Sequence, residues 1–513
     1  MNRRILLPLL LPVLLLSCQR NGSAQHPNLI PDTPSTAPDY FCTWNIQGYA
    51  ADYDGPTTEA LMNEQSLFGD GPLQGWINYW PTLRQDLYFV MDDSWDVPAG
   101  IGFDRTLMGN AQLDTTRFPS FTGQPVERLK ALSDKVKAIG WKGLGGWICA
   151  QEPSTCHEDP TTYWAQRLSE AEAAGIVYWK VDFGREENND AWRRMLTATA
   201  HDKAPHLTIE HAYRYGCSEF SDVFRTYDVE NITAQPVTID RVARLLPYRA
   251  EPDAGGIINC EDEPYIAAGL GCAIGIMRHP LAGPLPNGLQ DHVFPPTNRD
   301  IKRRLDEAVR GVRWHRIAAP FGVDGTFCAD TIRLYDWWVL ADRETWVNHA
   351  IGDTVRADAP ARISRRMPLP EVHDTLPDRP YVLASRYPSG ATALAAIGRV
   401  LDRSYVSRPV SVTITIDDTC APIGIFGYFE DVTLQLNGSS EQPCCTIWAQ
   451  DLAGDTSVDI TSVCTMQPGS ITLPGETLRQ VGHMASTPGD VSDPAVVIAL
   501  VPVDEADAAE CDR

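Results

Sequence analysis

The sequence predicts an α/β protein: a (β/α)8 TIM barrel followed by a C-terminal antiparallel β-sandwich. Three observations carry this. From Tyr40 to His349, short apolar runs alternate with amphipathic stretches, the pattern of a parallel α/β architecture. Acidic residues stand at the ends of several strand-like runs, where barrel active sites lie, and no Gly-rich phosphate loop follows any strand. Past Asp353 the helical pattern gives way to short β-prone runs punctuated by Gly, Pro, Asn and Asp.

The N-terminus reads as an export signal. Basic Asn2-Arg3-Arg4 precedes an apolar run, Ile5 to Leu16, that is too short to span a bilayer. Its last residues, Leu15-Leu16-Ser17-Cys18, resemble the lipobox of bacterial lipoproteins. That resemblance implies that Cys18 is diacylated and becomes the new N-terminus, anchoring the protein in the bacterial cell envelope, on the periplasmic face or the cell surface. The alternative is an ordinary signal peptide with an incidental Cys. Residues 1–18 are then the signal peptide, 19–38 a flexible polar tether, 39–355 the barrel and 356–513 the sandwich. No later segment approaches the length of a membrane span, so the only membrane contact expected is the lipid.

Within the barrel region, Asp86 to Met91 is strand-like and ends in Asp92-Asp93, and Val126 to Gly140 has helical spacing. Gly143 to Ile148, Ile176 to Val181, His206 to Glu210 and Val223 to Tyr227 are the next strands. Helices Tyr163 to Gly175 and Ala191 to His201 lie between them. The sandwich runs are Val382 to Tyr387, Ala391 to Ile397, Val410 to Ile416, Val432 to Leu436 and Val496 to Val501.

A formal net charge of -24 argues against nucleic acid as a partner, because phosphate binding needs clustered Lys and Arg. Export permits disulfides; Cys149 with Cys156 is a plausible pair, and Cys444, Cys445 and Cys464 are further candidates. No CxxC pair occurs and no His sits at ligand spacing, so no metal site is expected.

Three strand ends carry the chemistry: Met91-Asp92-Asp93-Ser94-Trp95, Trp179-Lys180-Val181-Asp182-Phe183, and Phe224-Arg225-Thr226-Tyr227-Asp228. In these the chain resembles the clan of retaining α-glycosidases that contains glycoside hydrolase families 27 and 36, the α-galactosidases among them. Asp92-Asp93-Ser94-Trp95 is similar to the family 27 second-strand Asp-Asp-Gly/Cys-Trp. Lys180-Val181-Asp182 is similar to its fourth-strand Lys-Tyr-Asp, and Arg225 to Asp228 to its sixth-strand Arg and Asp, with the interval one residue shorter. Of the opening Met-Gly-Trp-Asn-Ser-Trp only Trp44-Asn45 remains. The strand-five Cys-Glu-Trp is Ile209-Glu210-His211, and the strand-seven Asp-Pro-Asp-Met is echoed by Glu261-Asp262-Glu263-Pro264.

Retaining hydrolysis needs an ionised carboxylate to attack the anomeric carbon and an acid to protonate the departing oxygen, about 5–5.5 Å apart. Asp182 is the candidate nucleophile, because Lys180 on the same strand face favours its ionised form. Asp228 takes the acid/base role; Asp222 precedes its strand and belongs at the other end of the barrel. The remaining substrate-binding candidates are Asp92, Asp93, Trp95, Lys180, Glu210, Arg225 and Trp44. Asp92 and Asp93 are candidate sugar-hydroxyl acceptors, although neighbouring strand residues face opposite ways and one of the two is free to brace the loop instead. Trp95 is a candidate for packing on a sugar face, and Trp44 and Trp147 are stacking platforms or core residues. Glu210 looks like the reader of the sugar 2-hydroxyl. His211, His279, His292 and His315 are assigned no role.

The resemblance implies a retaining exo-α-glycosidase, most like an α-galactosidase, acting on an oligosaccharide or polysaccharide without a cofactor. β-L-Arabinopyranosidase, α-N-acetylgalactosaminidase or α-glucan-directed activity, or a non-catalytic glycan-binding barrel, are the alternatives. The lipobox gives the first testable expectation. Cys18→Ser should abolish incorporation of labelled fatty acid and leave the protein soluble or unprocessed; label retained by the variant would refute lipidation at Cys18.

Overall fold

The computed structural model describes residues 27–100, 106–226, 234–281, 283–289, 301–339, 352–402 and 404–503. Its first module is an eight-stranded, all-parallel sheet in the order β7-β6-β5-β4-β3-β2-β1-β8. The strands are β1 (Tyr40–Cys42), β2 (Tyr88–Met91), β3 (Gly143–Ile148), β4 (Ile176–Val181), β5 (Thr208–His211), β6 (Val223–Arg225), β7 (Ile257–Asn259) and β8 (Gly275–Ile276). One bridge between Asn259 and Ala273 closes the remaining edge, with Ala273 N donating to Ile258 O at 2.7 Å. The sheet is therefore a barrel, as the sequence predicts.

The strands form here because they are apolar on both faces. All six residues of β3 are buried, as a strand between barrel interior and helices must be. Gly146 of β3 is needed for close approach, because a Cβ there would lie 3.0 Å from the Trp95 ring. The helices between the strands start on ordinary caps: Asp159 accepts from Thr162 N at 3.2 Å before Pro160–Ala174, and Asn189 accepts from Trp192 N at 3.1 Å before Asp190–Lys203.

The second module is a β-sandwich. An eight-stranded and a five-stranded sheet enclose Val382, Leu394, Val412, Ile414, Val432, Leu434 and Ile498. Its pairing is mixed where the sequence suggested antiparallel. Thr392–Ile397 runs parallel to Ile423–Phe426, and Val410–Ile416 parallel to Phe429–Leu436. The reason is topological: the chain passes from one sheet to the other and back between these strands, so each returns in the direction it left. Strand Phe327–Ala329, ahead of the residue-355 division, already pairs with Arg362–Arg365 of the eight-stranded sheet.

Two further expectations are corrected. Part of the stretch read as a flexible tether is fixed from Pro27 on: Ile30 is buried, Leu29 N donates to Gln450 Oε1 at 2.7 Å, and Ser35 N donates to Asp86 Oδ1 at 2.8 Å. Apolar Leu29 and Ile30 give this polar-looking stretch something to bury. Cys149, Cys156, Cys445 and Cys464 are not disulfide-bonded in this structure, whereas Cys444 is. Cys149 lies in a small apolar cluster with Val97, Met108 and Trp147, which explains its presence without a bridge. Cys18 lies outside the described residues. No helix among the described residues is long and apolar enough to cross a membrane.

One apolar core runs from the barrel shell into the sandwich, including Ile266, Trp314, Leu383, Ala395 and Phe426. Helix Pro264–Leu270 lies against strand Thr392–Ile397 so closely that a Cβ on Gly269 would stand 2.9 Å from that of Ala395. At the seam, fully buried Arg310 forks onto Asp451 at 2.9 and 3.2 Å. Removing one partner of such a pair strands the other charge without water, so Arg310→Ala should lower unfolding stability by about 3–5 kcal/mol. Thermal denaturation checks this; a melting temperature equal to that of the parent would show the seam is not held there.

Candidate active site

Alternate residues of a strand face the same way. On β4 this turns Tyr178 and Lys180 into the barrel, and Asp182 follows at the strand's C-terminal end. Lys180 Nζ lies 2.9 Å from Asp92 Oδ2, both side chains 4% exposed, and the Cys42 thiol donates to the same oxygen at 2.7 Å. Burial opposes the charge on Lys180, but Asp92 and Cys42 outweigh it and hold the ammonium pKa well above its ordinary value.

Asp182 is held from three sides. Oδ1 accepts from the Tyr213 phenol at 3.0 Å and lies 3.2 Å from Arg225 Nη2, and Oδ2 accepts from Trp147 Nε1 at 3.0 Å. Burial alone would raise its pKa, but Arg225, Lys180, Trp147 and Tyr213 together bring it below the ordinary value. Side-chain exposure separates the inward carboxylates: 11% for Asp182, against 4% for Asp92, 1% for Glu261 and none for Glu210. Among these four described carboxylates Asp182 is the most open, and its surroundings favour its ionised form.

Beneath it lies a sealed network. Glu210 is fully buried, with Oε2 accepting from Tyr178 at 2.8 Å and from Asn259 at 2.6 Å, and Oε1 from Tyr40 at 3.3 Å and Arg225 at 3.4 Å. It is an anchor inside the barrel and has no oxygen left for a sugar, which corrects the expected role as 2-hydroxyl reader. Arg225, 1% exposed, likewise braces Asp182, Glu210 and Glu261 from within. Glu261 accepts from the Tyr40 phenol at 2.6 Å and stands 3.7 Å from both Lys180 and Arg225. Burial pushes its pKa up to about 7, with Arg225 and Lys180 pulling the other way and Glu210 adding to the rise.

The second-strand pair divides its roles. Asp92 faces the barrel, while Asp93 is turned to Ser94, whose hydroxyl donates to it at 2.9 Å. Burial, then the charge of Asp92, raises the Asp93 pKa well above its ordinary value, and its bond from Ser94 makes it a brace of the loop. Trp95 is a correction: 2% exposed, it donates to Trp147 O at 2.8 Å and packs on the outside of β3, away from the mouth. The partly exposed Trp44 borders the cluster of Tyr40, Cys42 and Met277 and remains a candidate platform. Trp147 is buried and points its indole N–H at Asp182.

Asp228 and His292 lie outside the described residues. Asp222 sits at the opposite end of the barrel, bonded to His201 at 2.9 Å and to Ile209 N at 2.9 Å. His211 is buried between Arg193 and Thr197, His315 on Asp39, and His279 against Tyr49. Among the described residues no group of three or more His, Cys, Asp or Glu is arranged to hold a metal ion.

Sequence reasoning missed Tyr213 and the inward pair Tyr40 and Tyr178. Tyr213 adopts a positive φ of 71°, a conformation unfavourable for a bulky residue, while reaching Asp182. Its only sequence signal is an aromatic residue just past a strand that ends in an acid.

No protein-family model matches the sequence, and no curated protein matches it. Among solved structures, a β-L-arabinopyranosidase of glycoside hydrolase family 27 from Geobacillus stearothermophilus is similar with a TM-score of 0.43 and 10% identity, over 92% of this chain and 98% of that one. An α-galactosidase from Saccharomyces cerevisiae is similar with a TM-score of 0.37 and 9% identity, over 92% of this chain and 97% of that one.

The Glu261 environment predicts a pH dependence. Its folded pKa, about 7, lies above the ordinary 4.5, so on raising the pH the unfolded chain loses this proton first. The contribution to stability is complete below pH 4.5 and is lost as pH rises through about 7. Between pH 5 and 8 the melting temperature should therefore fall further in the parent than in Glu261→Gln, which cannot ionise. Parallel curves for the two proteins would refute the assignment.

Proposed function

We propose that this chain is a retaining exo-α-glycosidase, most like an α-galactosidase, that removes terminal sugars from oligosaccharides or polysaccharides by double displacement. The observation that carries the proposal is Asp182: an ionised carboxylate at the C-terminal end of β4, the most open of the inward acids, steadied by Arg225, Tyr213 and Trp147. The two hydrogen-bond donors, Tyr213 and Trp147, and the guanidinium charge beside Oδ1 fix where each oxygen lies, so the attacking oxygen meets the anomeric carbon with little reorganisation.

Asp92, fixed by Lys180 and Cys42, is the hydroxyl acceptor of the reading, and Trp44 its apolar platform. Asp228 is the proposed acid/base. It follows three residues after Arg225 in the sequence, and the Arg225 guanidinium lies 3.2 Å from Asp182. No cofactor enters the chemistry. We place the enzyme in the bacterial cell envelope, held by lipid on Cys18. With Glu210 sealed away, the sugar 2-position is read by other groups. A panel of para-nitrophenyl α-galactoside, β-L-arabinopyranoside and α-N-acetylgalactosaminide tests the specificity.

The two carboxylates can be told apart by what each step demands. Asp182→Gly should lose activity on every substrate, and azide should rescue it by direct attack, giving the β-glycosyl azide. Asp228→Ala should suffer least with dinitrophenyl leaving groups and accumulate the covalent intermediate, which azide releases as the α-glycosyl azide. The opposite stereochemistry in each would reverse the assignments. Full activity in both variants would end the proposal.

A further inference from the structure

The barrel is closed at a narrow point. β7 and β8 join through the bridge between Asn259 and Ala273, supported by Cys260 N donating to Ala273 O at 3.0 Å. A cysteine stands on each side of this bridge: Cys260 follows Asn259, and Cys272 precedes Ala273. Both are fully buried, stand unbridged in this structure and interact electrostatically with one another, and the Cys272 thiol donates to Leu270 O at 3.6 Å. The loop that carries Cys272 is clamped from the sandwich. Arg365, 1% exposed, donates to Leu270 O at 2.7 Å and Gly271 O at 3.3 Å. Gly271 holds a φ of +62°, so the backbone turns sharply just before the thiol.

From this arrangement we infer that Cys260 and Cys272 are a disulfide-forming pair that staples β7 to β8 when the protein matures in an oxidising compartment. The oxidant is a disulfide-carrying protein of the thiol–disulfide exchange class. The Cys272 thiolate attacks one sulfur of the carrier disulfide and displaces the other as a thiolate. The Cys260 thiolate then attacks the Cys272 sulfur of the mixed disulfide and releases the carrier's second thiolate. The carrier leaves as a dithiol, having taken two electrons and the two protons of the cysteines.

Local electrostatics favour Cys272 as the attacking group. Burial raises its pKa, but the neighbouring Cys260 and the Arg365 guanidinium bring it net below the ordinary thiol value. Full burial sets the time of the step. The pair is accessible while the chain folds after export and is shielded from exchange once the sandwich covers it. The staple bears on the site because Glu261 is the next residue after Cys260, and Asp262 N donates to Gly275 O of β8 at 2.8 Å. A cross-link there fixes the end of β7 from which Glu261 meets Tyr40, Lys180 and Arg225.

The sequence makes the test clean. Tryptic cleavage after Arg249 and Arg278 puts Cys260 and Cys272, and no other cysteine, in one peptide, Ala250 to Arg278. The full chain, exported by a bacterial host, is denatured with iodoacetamide but no reductant, digested and weighed. The peptide should carry no alkyl group and be lighter by two hydrogen atoms than the reduced form. The same chain made in a reducing cytoplasm should yield it doubly alkylated. In exported Cys260→Ser, Cys272 should become fully alkylatable. A doubly alkylated peptide from the exported parent would overturn the inference, as would linkage of either cysteine to another peptide. Cys272 still blocked in Cys260→Ser would do the same. The parent measurement stands even if the variant fails to fold.

Discussion

The buried guanidinium of Arg225 is the element on which the rest of the barrel interior depends. It stands within 3.2 to 3.7 Å of Asp182, Glu210 and Glu261, and it is 1% exposed. With Lys180 it supplies two positive charges among four inward carboxyl groups, Asp92, Asp182, Glu210 and Glu261. Burial, with Glu210 adding to it, leaves Glu261 with a proton until about pH 7 against the pull of Arg225 and Lys180. The cation thus goes preferentially to the carboxylate that opens to the mouth. Ionisation of Asp182 and protonation of its neighbour are two sides of one balance.

Rigidity under this network comes from outside the barrel. The core is continuous from the barrel shell into the sandwich, and the helix between β7 and β8 is wedged against a sandwich strand with no room for a methyl group. The arginines that cross the seam, Arg310 and Arg365, are both buried and each donates to several oxygens. The weakest part of the barrel by strand length, the two residues of β8, is therefore the part the second module supports most directly.

Legibility in the sequence followed strand length and partner distance. β2 to β6 were readable because apolar runs and their terminal acids mark them, and Lys180 announced Asp182 because both lie on one strand. β7 and β8, with three and two residues, give no periodic signal, and their pairing is decided by the whole sheet. Glu210 could not be read correctly, since its fate depends on Tyr40, Tyr178 and Asn259 from three other strands. Trp95 misled for a similar reason: a tryptophan beside two aspartates looks exposed until Gly146 on the next strand is seen to make room for it. The sandwich was legible as β-structure, but its parallel pairs follow from the order in which the chain visits two sheets, which no local pattern records.

The fixing of Pro27 to Ile30 against the sandwich has a consequence for how the protein would sit on a membrane. Pro27 O accepts from Ser457, and Asn28 Oδ1 accepts from Gln450 at 2.7 Å, so the first described residues are pinned to the second module and not to the barrel. With lipid on Cys18, as proposed, the leash is only residues 19–26, which even when fully drawn out reach about 28 Å. The sandwich would then rest beside the bilayer like a foot, and the substrates within reach would be those that come to the membrane, not those an arm could sweep from solution.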